Sequence, residues 1–219
     1  MISPEIHTER LTLDRLRVED APALSRYRSD PDVARYQTWL PESVDEALDF
    51  IEGINDIEFD TPGSWFQFAI RRHGNRLLVG DLGVHFLQDE PRNVEIGFTV
   101  APAEQGGGIG TEAVIALLDH LFGVLDKHRV SASVDPRNVP SIALLRRVGF
   151  REEAHFRESL WFKGEWVDDM VFAILSSEWV QDHRPRPSGT ANKRISLTRP
   201  DAASVILTTA PERRSCAPR

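Results

Sequence analysis

Between Val94 and Val134 the chain reads as strand, glycine-rich loop, helix and strand, and no other stretch restricts the fold as tightly. The loop, "EQGGGIGTEAV" at 104–114, holds Gly106, Gly107, Gly108 and Gly110, yet it opens straight into helix-like sequence. Glycine weakens a helix by about 1 kcal/mol relative to Ala, so a run of it at a helix start indicates backbone shaped for a purpose. Val114, Leu117, Leu118, Leu121, Phe122 and Leu125 then recur at helical spacing, and the strand-like "RVSASV" occupies 129–134. A strand, helix and strand joined this closely put two parallel strands in one sheet.

The flanking segments supply the rest of that sheet. "RLTLDRL" at 10–16 alternates and predicts a half-buried strand. A short helix is expected from Ala21, with Pro22 in its first turn, to Arg28. Ser43 to Glu46 form a capping box that opens a second helix through Leu48, Ile51 and Ile54 to about Glu58. Strand-like runs from Trp65, Leu77 and Val94 follow one another across short turns and predict an antiparallel meander. After residue 134, Asp135 to Asn138 turn into a helix with Pro140 in its first turn and Gly149 past its end. A last hairpin pairs 150–161 with 167–175, and no internal repeat is present.

At 219 residues and 41% hydrophobic content, one core is expected, in a domain spanning 1–181. The remainder, 182–219, is rich in Pro, Arg, Ser and Thr without an aromatic residue, and is expected to be disordered. From Asp182 onward eight Lys/Arg stand against three Asp/Glu, so the net charge of −8 conceals a body near −13. Such a field repels nucleic acid and gathers cations, protonated amines included. The single Cys216 excludes a disulfide framework and a thiolate cluster and fits a cytoplasmic location. No basic-then-apolar leader and no 18-residue apolar run is present, so no membrane association is expected. Metal binding is not expected either, since no helical H-x-x-x-H occurs.

A glycine turn leading into a helix offers unpaired N–H groups and the positive end of a helix dipole, which together bind an anion. A nucleotide-triphosphate loop needs Gly-Lys-Ser/Thr, and no Lys follows these glycines. A dinucleotide fingerprint fits better: Gly108-x-Gly110-x-x-Ala113, with Asp135 22 residues beyond as a ribose partner. Against it, Gly108 follows Val100 by eight positions, and there is no second strand-helix-strand unit.

The same residues, Gln105 to Gly110, match the Q/R-x-x-G-x-G/A signature of the GNAT N-acetyltransferase superfamily. "ERLTLDRLRVEDAPAL", "VEIGFTVAPAEQGGGIGTEAVIALLDHLF", "DPRNVPSIALLRRVGF" and "HFRESLWFKGEWVDDMVFAIL" resemble its RimJ/RimL-like branch, in the right order from about Ile6 to Trp179. The resemblance implies an α/β (α+β) fold with about seven mostly antiparallel strands and about four helices. The sheet would be split between the strands at 94–100 and 129–134, with acetyl-CoA as co-substrate in the split. Phe98, Thr99 and Val100 would hold the pantetheine. Gln105, Gly106, Gly107, Gly108, Ile109, Gly110 and Thr111 would take the pyrophosphate. Asn138 and Ser141 stand where family members also contact the cofactor, and Asn138 serves equally as an N-cap.

Direct transfer to an amine needs a neutral nucleophile, a stabilised oxyanion and a proton for the thiolate. A bulge near Phe98 or Thr99 would present a backbone N–H to the oxyanion. The Tyr that many relatives use as the acid is Leu145 here, and the resemblance offers Ser141 in its place. Glu95 is the base it implies, directly or through water, with His85 and Asp168 as weaker choices. Tyr36, Trp39, His85 and Trp166 would wall the amine site, although such aromatics serve equally as core or as a homodimer contact. The acceptor is a primary amine, on a protein N-terminus or a small molecule. Two other readings stay open: a catalytically silent acyl-CoA-binding module and a dinucleotide-linked oxidoreductase.

Overall fold

The computed structural model describes residues 4–74 and 76–183. The segment expected to be disordered lies outside the described residues from 184 onward. In chain order the elements are β1 (Ile6–His7), β2 (Leu11–Arg15), α1 (Ala21–Arg28), α2 (Pro31–Ala34), α3 (Val44–Asn55), β3 (Ser64–Arg72), β4 (Leu78–Phe86) and β5 (Asn93–Val100). Then come α4 (Ile109–Gly123), β6 (Arg129–Val134), α5 (Val139–Val148), β7 (Arg151–Phe162), β8 (Glu165–Leu175) and α6 (Ser176–His183). Eight strands form one sheet in the order β1-β2-β3-β4-β5-β6-β8-β7, antiparallel except where β5 meets β6. The mixed α/β fold agrees with expectation. Its extra members are the two-residue β1 and the helices α2 and α6, and α6 runs two residues beyond the expected boundary at 181.

The main core lies on one face of the sheet. Val94, Ile96, Phe98 and Val100 from β5 and Val130, Ala132 and Val134 from β6 meet Ala113, Val114, Leu117, Leu118 and Leu121 from α4 and Leu144, Leu145 and Val148 from α5. A smaller cluster on the other face joins Ala69 to Leu24, Tyr27, Ala47 and Ile51 of α1 and α3. β2 is buried on both faces, which corrects the reading of it as half-buried. Thr12 and Asp14 are buried too, because Asp14 pairs with Arg71, which also binds Asp20. The α3 capping box is shifted as well: Ser43 Oγ accepts from Glu46 N–H, but the Glu46 carboxylate accepts from Glu42 N–H.

The sheet opens where the site was expected. The β5 to β6 ladder holds only Asn93↔Arg129, Val94↔Val130 and Glu95↔Ser131, whereas β6 pairs with β8 along its whole length. The β4 to β5 ladder is unbroken from Phe86↔Val94 to Gly80↔Val100. The bulge expected near Phe98 or Thr99 is therefore absent. β6 leaves with β8, and the separation needs no irregularity in β5.

Candidate active site

Strand geometry decides which backbone groups face the gap. Ala101 N–H donates to Val79 C=O at 2.9 Å and Leu87 N–H to Asn93 C=O at 3.4 Å, so the odd-numbered residues of β5 bond to β4. Antiparallel pairs alternate, which turns the N–H and C=O of Ile96, Phe98 and Val100 toward β6. Val94 and Val100 carry the same signature. The Val94 carbonyl accepts from Ser131 Oγ at 3.3 Å, and the Val100 carbonyl from Gln105 Nε2 at 2.8 Å. Thr99 differs, since its backbone faces Asp81; its side chain is fully buried, with Oγ1 lacking a hydrogen-bond partner.

The glycine loop lies beside this edge, and its glycines are required for different reasons. Gly106 and Gly108 have φ of 75° and 79°, the left-handed region that side chains resist. Gly110 is buried, and a Cβ there would lie 2.9 Å from Leu144 Cδ1 and 3.3 Å from Val100 Cγ2, so this glycine lets α4 approach α5 and β5. The first intrahelical bond runs from Glu112 N–H to Gly108 C=O, and Gly108 has no side chain to cap the preceding amides. The amides of Gly108, Ile109, Gly110 and Thr111 thus form an uncapped helix start at an exposed loop. Ile109 itself points into the core.

Basic side chains that the sequence reading passed over surround this helix start. Arg10 Nη1 donates to the Gly107 carbonyl at 3.0 Å, and Arg10 Nε to Glu112 at 2.5 Å. Arg147 Nη1 reaches Thr111 Oγ1 at 3.4 Å, and Arg72 pairs with Glu104. Burial pushes the Glu112 carboxyl up, but hydrogen bonds from Thr8 and Arg10 outweigh it and hold the group below the ordinary carboxylate range. Only the fold brings residues 10, 112 and 147 together, so spacing could not have shown them.

The face of β5 away from α4 carries the polar groups. Trp65, His85, Glu95 and Ser131 are successive cross-strand neighbours. The Trp65 and His85 rings stack at 4.7 Å, and His85 Nδ1 lies 3.8 Å from Glu95 Oε2. On the far side of the gap Ser133 Oγ donates to Asp169 Oδ1 at 2.5 Å. Burial pushes Asp169 above the ordinary carboxylate range, and the Glu95 and Asp135 charges add to the shift. Asp168, by contrast, is taken up by His155 and by Glu158 N–H. Beneath the roof formed by α1 and the segment after it, buried Asp81 accepts from Tyr27, Arg28 and Gln67, and Arg28 also donates to Gln37.

Asn138 is an N-cap: its Oδ1 accepts from Ser141 N–H at 3.3 Å. Ser141 sits in the first turn of α5 with 0% exposure. Of the expected acceptor wall, Tyr36 donates to the Arg137 carbonyl at 3.1 Å, at the turn that leads to Ser141. Trp39 stacks on Phe50 at 4.2 Å and packs with α1 and α3. Trp166 is at the tip of the last hairpin, 58% exposed, edge-on to Trp161. Thus His85 and Glu95 are adjacent, as are Tyr36 and the Ser141 turn, whereas Trp39 and Trp166 belong to other contacts.

An opened parallel pair, a glycine loop and an uncapped helix start are an arrangement that could take an extended ligand ending in phosphates. Residues 10–151 match the acetyltransferase (GNAT) domain. The chain belongs to the GNAT acetyltransferase family. An N-acetyltransferase of Bacillus licheniformis named p20, itself uncharacterized, is 34% identical over 175 residues, covering 80% of this chain and 97% of that protein. The ribosomal protein uS5 alanine N-acetyltransferase of Escherichia coli is 26% identical over 123 residues, 56% of this chain and 63% of that one. The crystal structure of a GNAT acetyltransferase from Bacillus anthracis superposes with a TM-score of 0.72 at 27% identity, covering 80% of this chain and all of that one. GNAT enzymes are acyltransferases that take acetyl-CoA as co-substrate. This membership overturns the dinucleotide reading, and Asp135, its ribose residue, is held by Arg137 instead. Among the described residues no His, Cys, Asp or Glu group is placed to hold a metal, and no helix is long and apolar enough to cross a membrane.

Proposed function

We propose that the protein moves an acetyl group from acetyl-CoA to a primary amine by direct attack within a ternary complex. The observation that carries this reading is the gap-facing edge of β5 beside the uncapped start of α4. The slot suits acetyl-CoA: the Phe98 C=O and Val100 N–H would pair with pantetheine amides, and the 106–111 amides would take the pyrophosphate, with Arg10 and Arg147 adding positive charge at its rim.

The Phe98 N–H would take the developing oxyanion, the role earlier given to a bulge. Glu95, beside His85, would receive the amine's proton, directly or through a water. Ser141 would donate to the departing thiolate from the buried first turn of α5. The carboxylates Glu95 and Asp169 suit an acceptor that arrives as an ammonium and is deprotonated on the face opposite α4. A protein N-terminus and a small-molecule amine both meet that description, and the E. coli relative is named for an alanine of ribosomal protein uS5. The testing experiment offers a panel of primary amines and reads free thiol released from acetyl-CoA. Amine-dependent release supports the reading; tight CoA binding without release to any amine favours a silent binding module.

A further inference from the structure

Arg137 ties together three parts of the candidate site's boundary. Its guanidinium grips Asp135, with Nε 3.0 Å from both carboxylate oxygens and Nη2 2.6 Å from Oδ2. Its own N–H donates to Asp135 Oδ1 at 2.8 Å. Nη1 reaches across to Glu165 on the last hairpin at 2.9 Å, and its carbonyl accepts from Tyr36 in the segment after α2. A second bond, from Lys163 Nζ to the Ala34 carbonyl at 2.5 Å, closes the same three-way junction. The turn it occupies is fixed from within, since Asn138 N–H donates to the Asp135 carbonyl at 2.8 Å and Asn138 Oδ1 then caps Ser141 N–H.

The charges explain the arrangement. Asp135 is 1% exposed and would be an uncompensated buried anion without its partner, whereas Arg137 keeps 55% of its side chain in solvent. Hydrogen bonds to Asp135 first, and to Glu165 second, push Arg137 above the ordinary arginine value. One planar fork therefore neutralises the turn while touching both walls, which a compact ammonium cannot do.

We infer that Arg137 is a positioning residue for acetyl transfer: it fixes the 135–141 turn, and with it the Ser141 hydroxyl, relative to the Tyr36 segment and the hairpin wall on the acceptor side. This rests on the reading of Ser141 as the proton donor. Misplacing a reacting group by 1 Å can cost about 10²-fold in rate, so loosening this junction slows the chemical step.

The test is a double-mutant cycle of Arg137→Lys and Ser141→Ala, with melting curves and CoA affinities measured beside the kinetics. Arg137→Lys keeps a positive charge against Asp135 and loses the fork. Its kcat should fall about tenfold, within that bound, with KM for acetyl-CoA unchanged. In the Ser141→Ala background the same substitution should have no further effect on kcat, because the group it positions is gone. Glu165→Gln, an exposed change that leaves Asp135 paired, should lower kcat/KM for the amine by about twofold to fivefold, the range of a surface ion pair. A folded Arg137→Lys enzyme at full kcat, additive losses in the double variant, or an unaffected Glu165→Gln enzyme would overturn the inference about Arg137 alone. Equal rates for wild type and Ser141→Ala would remove Ser141 from the mechanism, and this inference with it.

Discussion

Ser141 is where the residue-scale account is most exposed to test. Its backbone caps onto Asn138, its side chain is buried, and the family's usual phenol is replaced by Leu145 in the core one turn on. If its hydroxyl protonates the thiolate, Ser141→Ala raises a barrier late in the reaction and leaves ground-state contacts intact. We expect kcat to fall by about 10²-fold, the scale of a positioned proton donor, with acetyl-CoA affinity nearly unchanged. Melting curves provide the control, because the Asn138 cap bonds the backbone N–H and survives the substitution. Full activity would remove the hydroxyl from the mechanism. Glu95 was legible as a polar residue facing away from the core, through simple alternation. Its neighbour across the gap, Asp169, was not, since β6 and β8 meet only through a long connection that no local pattern reports.

At the scale of elements, the start of α4 carries both recognition and stability. The glycine pattern and the helical period were readable from the sequence, but the tether to the turn between β1 and β2 was not: Thr8 and Arg10 hold Glu112 from about a hundred residues away. Glu112 has its folded pKa lowered, so its stabilisation is present above its unfolded value, about 4.3, and is lost as pH falls through the folded value. Glu112→Gln should therefore cost about 1.5–3 kcal/mol at pH 7, the range for hydrogen bonds to a charged group, and progressively less between pH 5 and pH 2. Urea unfolding of both forms across that range measures it, and a gap independent of pH would contradict the ion-pair account. Gly108→Glu tests recognition in the same element. It forces a side chain into φ of 79° and places a carboxylate where the pyrophosphate would sit. Strain should cost about 1–2 kcal/mol while far-UV circular dichroism stays native, and CoA binding should fail. Unchanged CoA affinity would reduce the loop to a structural turn.

At the scale of the whole molecule, order and type of the long elements followed from periodicity and turn chemistry, while the layering did not. Alternation in "RLTLDRL" suggested a wet face. Instead, Asp14 is buried against Arg71, which also binds Asp20. The four-residue α2 carries too short a pattern to read, and α6 runs into the polar sequence that begins the tail. The split was expected from resemblance, yet its cause is topological: β6 is drawn off by β8 along its full length, exposing one edge of β5. That edge and the α4 start together make the central claim, that acetyl-CoA binds across residues 98–111. Thermal unfolding with acetyl-CoA, NAD and NADP tests it most directly. A ligand bound only by the folded state at 100 times its Kd adds about 2.7 kcal/mol, a rise in Tm of about 5–10 °C for a chain of this size. The account predicts that rise with acetyl-CoA and none with NAD or NADP; stabilisation by a dinucleotide, with no response to acetyl-CoA, would contradict it.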